Sequence, residues 1–448
     1  MDLIRVRRVP FMARRNYVIE MRHLFLWGLF AGLVEGTVSA VVVSKTFNGS
    51  DLLIAIVQAT PAFANLSSLL WGSLLVGRRK LPVLMALAAA CIAVVLSVAV
   101  TPHSSLGGWI FALQICLSRV FMSGVVTARA SLWKSNYPKS RRGRITGALQ
   151  IVRTLTSLPV ILGCGMLFDH DASAYRWFYP AVACAGAVGV LLIRRIRVRG
   201  EAAAFARRGS NGDEPIAEDA LAEPFDLPSL FSPRLVIGRM REALRQDPRF
   251  ARYCTAQMCI GTANLMVLPV NAIVLTKVLV LTYTASNGLL DIIPRLTTIF
   301  MLPVWARLFD RVGVLRFRVV NSACWCGSLL FCGLGAMFAL LHEHGVSVLF
   351  AALIAYSIGR VADGLAQSGG AIAWNIGHLH FAEDDKAELY MGIHVSLTGL
   401  RGLLALLFGT LLYTFIDCGV FAVAFGISVA GMVIFHRLAR EERGPSLG

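Results

Sequence analysis

The sequence predicts an all-α membrane protein of twelve spanning helices, arranged as two pseudo-symmetric six-helix bundles. Three observations carry that prediction. The 448 residues are 56% apolar and only 15% charged, against about 25% charged in a soluble protein. The net charge of +17 falls almost entirely in short segments between apolar runs, which argues against a nucleic-acid partner. The apolar runs themselves are long enough to cross a bilayer, which takes about 20 residues each.

Twelve stretches qualify: 23–44, 52–76, 82–101, 108–132, 145–168, 175–193, 253–276, 285–306, 317–341, 346–373, 391–414 and 418–436. The first is long enough to remain as a spanning helix rather than a cleaved leader. Basic residues mark the cytoplasmic side. They crowd into the N-terminal RVRRVPFMARR, into GRRK, KSNYPKSRRGR, RRIRVRG and RVGVLRFR between spans, and into the C-terminal HRLAREERG. The opposite connections hold only Lys45, Arg176 and Lys277. Both termini are therefore expected in the cytoplasm, with a bacterial inner (cytoplasmic) membrane as the location.

The longest connection contains GSNGDEPIAEDALAEP, polar and Pro-containing, which reads as a linker. After it, Leu235, Met240 and Leu244 fall on one helical face among arginines. That pattern suits a helix on an anionic membrane surface or a solvated linker helix. The expected division is 1–200 for an N-terminal bundle, 201–245 for a cytoplasmic linker with a membrane-surface helix, and 246–448 for a C-terminal bundle.

The two halves echo one another. Arg119 precedes Trp133 by 14 positions, and Arg360 precedes Trp374 by 14. Arg153 and Asp169 are 16 apart, as are Arg401 and Asp417. PAFANLSSLLWG in the second span parallels PRLTTIFMLPVWA in the eighth. Three matches in the same order argue for a duplicated six-span unit, an arrangement in which transporters place their substrate near mid-membrane between the repeats.

The segment ARLFDRVGVLR at 306–316 fits the pattern G-x-x-x-D-R-x-G-x-[RK], with Ala306 in place of the leading Gly. The corresponding first-half stretch, WGSLLVGRRK, keeps Gly72, Arg78, Arg79 and Lys80 but lacks the Asp. RRGRITG at 141–147 matches a further loop of the same pattern. On these features the chain resembles the Major Facilitator Superfamily over essentially its whole length. The resemblance implies secondary transport by alternating access, with Asp310, Arg311 and Gly313 in a conformational latch.

Charges inside the spans carry the site expectation. Six arginines lie more than two residues inside a span end: Arg119, Arg129, Arg153, Arg295, Arg360 and Arg401. The acids are Glu35, Asp291 and Asp363. An arginine at the bilayer centre costs roughly 3 kcal/mol on insertion scales, so the surplus should face something other than lipid. At about 1.5 Å per residue, a Trp at the headgroups places Arg119 and Arg360 near half depth, and the resemblance implies that they face each other across the repeat interface. Arg129 can reach the interface by snorkelling. The guanidinium fork suits carboxylate or phosphate. Arg119, Arg360, Arg153 and Arg401, with Gln114, are thus the expected solute-binding residues. A bracing role is the competing reading: Asp291 sits four residues before Arg295, Asp363 three after Arg360, and Glu35 is a plausible partner for Arg119. Glu35, Asp291 and Asp363 are the expected proton-coupling groups, because a carboxylate in apolar surroundings can load and release a proton.

Ten cysteines are scattered through apolar runs without a CxxC pair and read as packing residues. HEH at 342–344 and HLH at 378–380 lack further ligands, so no metal is expected. No cofactor is expected either, and no phosphate-cradling loop of the GxxxxGK[ST] type is present. The function expected is a secondary active transporter of a small anionic or zwitterionic solute, with proton coupling. The expected partners are that solute and membrane lipids, with no nucleic acid and a monomeric state. Converging catalytic groups are lacking, so an enzyme is not expected. The alternatives are efflux of hydrophobic compounds and a non-transporting receptor or scaffold on a transporter fold.

Overall fold

Helix occupies every one of the twelve apolar stretches. The computed structural model describes residues 9–75, 78–200, 240–242, 244–376, 380–381 and 387–442. We number the crossings α1 (Phe11–Lys45), α2 (Asp51–Leu75), α3 (Lys80–Val100), α4 (Ser105–Asn136), α5 (Lys139–His170) and α6 (Tyr175–Ile193). The second set is α7 (Pro248–Val278), α8 (Tyr283–Val312), α9 (Val314–Glu343), α10 (Leu349–Ile376), α11 (Ala387–Ile416) and α12 (Gly419–Glu441). Among the described residues, 11 helices are long and apolar enough to cross a membrane; in α2 the shorter piece Asp51–Ala64 is apolar.

Helix starts follow local chemistry. Ser104 accepts the Gly107 N–H at α4, Asp247 accepts the Phe250 N–H before Pro248 at α7, and Thr282 accepts the Ala285 N–H at α8. Each side chain satisfies a donor that the first turn leaves unpaired. Gly313 joins α8 to α9 with φ 73°, a conformation open to glycine and strained for most other residues.

The two sets of six pack by one scheme. In the first, α1 lies against α5 and α6, α4 against α2 and α3, and α3 against α6. In the second, α7 lies against α11 and α12, α10 against α8 and α9, and α9 against α12. The halves meet where α2 crosses α11 and where α5 crosses α8. Without a hydrophobic drive between helices in lipid, such crossings rely on small residues that let backbones approach. Gly409 of α11 is an extreme case: a Cβ there would stand 2.0 Å from the Met266 carbonyl oxygen of α7.

Among the described residues, three crossings are broken. α1 is interrupted between Phe11–Val34 and Val38–Lys45, with Gly36 at φ 97°. α7 is interrupted between Met266 and Leu268 and ends in a π turn, Val274–Val278. α8 begins as Tyr283–Asn287 and passes through a π turn, Gly288–Ile292, before Ile293–Val312.

These broken pieces tie the halves together at the end of the bundle remote from the chain termini, here the far end. Ser44 pairs with Thr276 at 2.7 Å, Thr46 with the Tyr283 hydroxyl at 2.9 Å, and Lys45 donates to the Leu281 carbonyl at 2.7 Å. Lys277 pairs with Asp51 at 2.7 Å. Asp169, at the end of α5, accepts the backbone N–H groups of Tyr283 and Thr284. A charged hydrogen bond contributes about 1.5–3 kcal/mol. Asp169→Ala is therefore expected to raise far-end opening by roughly 10–100-fold, read as faster amide hydrogen exchange across 280–287. Unchanged exchange there would show that Asp169 does not hold the closure.

Residues 201–239 and 243, with most of the expected linker, lie outside the described residues. Met240 and Leu244 are helical and pack against the second-half core beside Phe250 and Tyr253; Leu235 lies outside the described residues.

Candidate functional site

A cavity of about 600 Å³ lies between the halves, on the side of the bundle toward the termini. The first half contributes Gln58, Pro61 and Ala62 of α2. The second half supplies most of the wall, including Gln257, Gly261 and Asn264 of α7, Arg318 and Trp325 of α9, Gln367 of α10, and Arg401 of α11. A smaller compartment of about 220 Å³ shares Asn264, Trp325 and Gln367 with it and reaches Asn271, Arg360 and Asp363. The larger volume falls within the range of small-molecule sites, roughly 300–1,000 Å³.

Arg401 is the expected solute-binding residue that faces the larger space. It is 9% exposed, donates Nη1 to the Gln257 carbonyl at 2.7 Å, and has no hydrogen-bond partner for Nε among the described residues. Its guanidinium lies against Gly261, where a Cβ would come within 2.1 Å of Cζ. Arg318 lines the same wall at 2% exposure, with Cζ 4.8 Å over the Phe435 ring and Nε likewise unpartnered. Sequence reasoning missed Arg318, counting it among the interfacial basic residues of RVGVLRFR. A signal was available: Arg318, Asn321, Ser322, Trp325 and Ser328 share one helical face, and all are buried.

The remaining charges make contacts within and between helices. Arg360 donates Nε to the Leu289 carbonyl at 3.1 Å and Nη2 to the Leu290 carbonyl at 2.9 Å, and pairs with Asp363 at 2.9 Å. It thus holds the π turn of α8 while bordering the smaller compartment. Asp363 also accepts from Gln367 at 2.7 Å. Arg119 donates to the Gly36 carbonyl at 2.8 Å, in the break of α1. Asp291 accepts the Thr37 N–H at 2.8 Å, the Thr37 hydroxyl at 2.5 Å and Arg295 at 3.1 Å. Arg119 and Arg360 are both within electrostatic range of Asp291. Each donates to backbone carbonyls at a helix irregularity, Arg119 in the break of α1 and Arg360 in the π turn of α8.

Several expected partnerships are different in the structure. Glu35 pairs with Arg153, not with Arg119. The cause is the extended backbone of Glu35 at the helix break, together with the close seat of α1 on α5 through Gly28 and Gly32. Arg129 does not snorkel: it is 4% exposed, bonded to His23 at 2.8 Å and placed 5.8 Å over Trp27. Trp133 does not simply mark the headgroups, because its indole donates to Glu20, a buried carboxylate that also accepts from Tyr137 at 3.0 Å. Glu20 lay outside the sequence-derived first span. Gln114 bonds Thr101 and Ser97, each at 3.0 Å, near the far end. Arg119, Arg153 and Gln114 line neither compartment. Arg311 is exposed beside Gly313; the side chains of Asp310, Asn65 and Trp374 lie outside the described residues. Among the described residues, no group of three or more His, Cys, Asp or Glu could hold a metal.

Matched sets of six membrane helices, tied at one end and enclosing a cavity toward the other, are the architecture of a solute transporter. The family profile of the Major Facilitator Superfamily matches residues 24–359, and the chain belongs to that superfamily. It is a transporter, not an enzyme. The nucleoside transporter NupG superposes with a TM-score of 0.66 at 12% identity, covering 94% of this chain and 99% of that one. An inward-open xylose transporter XylE from E. coli gives 0.63 at 11% identity, covering 95% and 96%. A peptide transporter POT in complex with sulfate gives 0.63 at 14% identity, covering 95% and 94%. At these identities the likeness speaks for the fold. No curated protein matches the chain.

Proposed function

We propose that this transporter moves a small anionic or zwitterionic solute across the cytoplasmic membrane by alternating access, with proton coupling through Glu35. Residues 1–200 and 246–448 act as the two moving bodies, joined by 201–245, and a single copy of the chain suffices. The basic residues at the terminus end support a cytoplasmic position for that end; on that reading the far-end ties correspond to closure on the outside and the cavity to loading from within. The observation that carries the solute class is Arg401: a buried guanidinium on the cavity wall, with no carboxylate paired to it among the described residues. An in-membrane charge of that kind is expensive and marks a substrate path. The coupling reading is supported by the Glu35–Arg153 pair at the break in α1. There, protonation of the carboxylate would release α5 from α1.

Reconstitution in liposomes tests both parts. Labelled succinate and a hexose phosphate should accumulate under an imposed pH gradient, and labelled xylose should not. Glu35→Gln, which keeps the shape and removes the titrating group, should lower pH-driven accumulation about tenfold or more, an effect typical of losing a proton-transfer group, while exchange of internal for external anion continues. Accumulation of xylose alone would overturn the anionic reading. Unchanged pH-driven accumulation in Glu35→Gln would overturn the coupling role.

A further inference from the structure

The same spot in the two repeats is neutralised differently. In the first half, Arg153 of α5 is met by Glu35 of α1. In the second, Arg401 of α11 is met by α7 only through the Gln257 carbonyl and the bare backbone of Gly261. A second cation, Arg318, adds to the imbalance, since it lies within electrostatic range of Arg401. Neither has a carboxylate partner among the described residues, and both keep a buried Nε–H without an acceptor. Two like charges out of water are costly unless a counter-charge and hydrogen-bond acceptors arrive together. The cavity that both side chains line is the route by which such a group reaches them.

We propose that Arg318 and Arg401 form a two-guanidinium subsite, wholly within the second half, that takes a doubly charged oxyanion: a phosphate monoester or a dicarboxylate. This rests on the anionic reading above and narrows it. Forked N–H donors match the oxygen spacing of carboxylate and phosphate, and two of them favour a dianion over a monoanion. The Gln257 carboxamide, whose Oε1 is also unpartnered, stands beside them. The adjoining smaller compartment carries no surplus charge, since Arg360 is matched by Asp363 there, and Asn264 and Asn271 add polar groups to its largely apolar wall. It accommodates the neutral polar body of the solute, with the oxyanion end on Arg318 and Arg401. Gly261 is part of the subsite because only the lack of a Cβ lets the Arg401 head occupy its place.

The test is thermal stabilisation of the purified full-length protein in a neutral detergent, titrated with inorganic phosphate, succinate and acetate at matched ionic strength. Phosphate and succinate should bind at least about tenfold more tightly than acetate. Arg318→Gln, Arg401→Gln and Gly261→Ala should each weaken phosphate binding about tenfold or more, and the surface variant Arg252→Gln should not. In buffer free of these anions, Arg318→Gln should unfold no earlier than wild type, because it removes one of two repelling charges. A purely structural arginine would behave in the opposite way. If acetate protects as well as succinate, or if the three variants bind like wild type, the two-point subsite is wrong and the anionic reading stands. If no anion protects, both fall. Protection by a short-chain phosphatidate with none from soluble anions would assign the site to a lipid headgroup and overturn the proposal.

Discussion

Asp291→Ala is expected to be among the most destabilising single substitutions in this protein. The carboxylate gathers the Thr37 N–H, the Thr37 hydroxyl and Arg295, and it bridges the break in α1 to the π turn of α8. It is 6% exposed. Removing one partner from a buried ion pair costs about 3–5 kcal/mol, because the other charge is left uncompensated. Here Arg295 would lose its acid, Arg119 and Arg360 would lose their shared negative neighbour, and the Thr37 N–H would lose its acceptor. The unfolding midpoint in detergent should fall by roughly 5 °C, taking the entropy of unfolding to scale with chain length. Asp291→Asn should lose less, since an amide oxygen still accepts from Thr37. A midpoint for Asp291→Ala equal to that of wild type would show that the breaks are held by packing alone.

Gly409→Ala comes next, and its effect is steric. The added Cβ would meet the Met266 carbonyl oxygen at 2.0 Å, its carbonyl carbon at 2.5 Å and its Cα at 2.6 Å. All three are backbone atoms, so no rotamer change relieves the clash, and α11 has to move off α7. Overpacking a filled interior costs about 1–3 kcal/mol, occasionally more, and a contact this short belongs at the upper end. The displacement would also open the Arg401–Gln257 bond, because both sit on the same pair of helices. We expect a large loss of folded yield from Gly409→Ala, together with loss of solute binding in whatever remains folded. Wild-type yield and binding would mean that α11 and α7 can separate freely, contrary to their packing.

Much of the fold is legible in the sequence because lipid imposes a simple rule: every backbone polar group must be satisfied within the segment, so long apolar runs become helices. The duplication is legible too, since Arg119 with Trp133 and Arg360 with Trp374 keep a fixed spacing. Partner choice is not. Whether Glu35 meets Arg119 or Arg153 depends on the three-residue break after Val34, and that break exists because Asp291 and Arg119, remote in sequence, satisfy the freed groups of Gly36 and Thr37. Arg318 escaped notice for another reason. Four residues into α9, it looks like one more interfacial cation, and only its register with Asn321 and Trp325 sets it apart from exposed Arg316. Glu20 and His23 likewise share a buried face with Tyr17 and Trp27; the hydropathy boundary hid the first of them.

The unequal treatment of Arg153 and Arg401 has an electrical consequence. One half of the carrier meets its arginine at that level with Glu35, and the other keeps two cations without a carboxylate partner among the described residues within the membrane's voltage field. Moving one elementary charge through 100 mV is worth about 2.3 kcal/mol. With the terminus end in the cytoplasm, as proposed, a potential that is negative inside would therefore hold the unloaded protein toward the cytosol. A bound dianion would cancel the surplus and let the loaded protein cross with little regard to voltage.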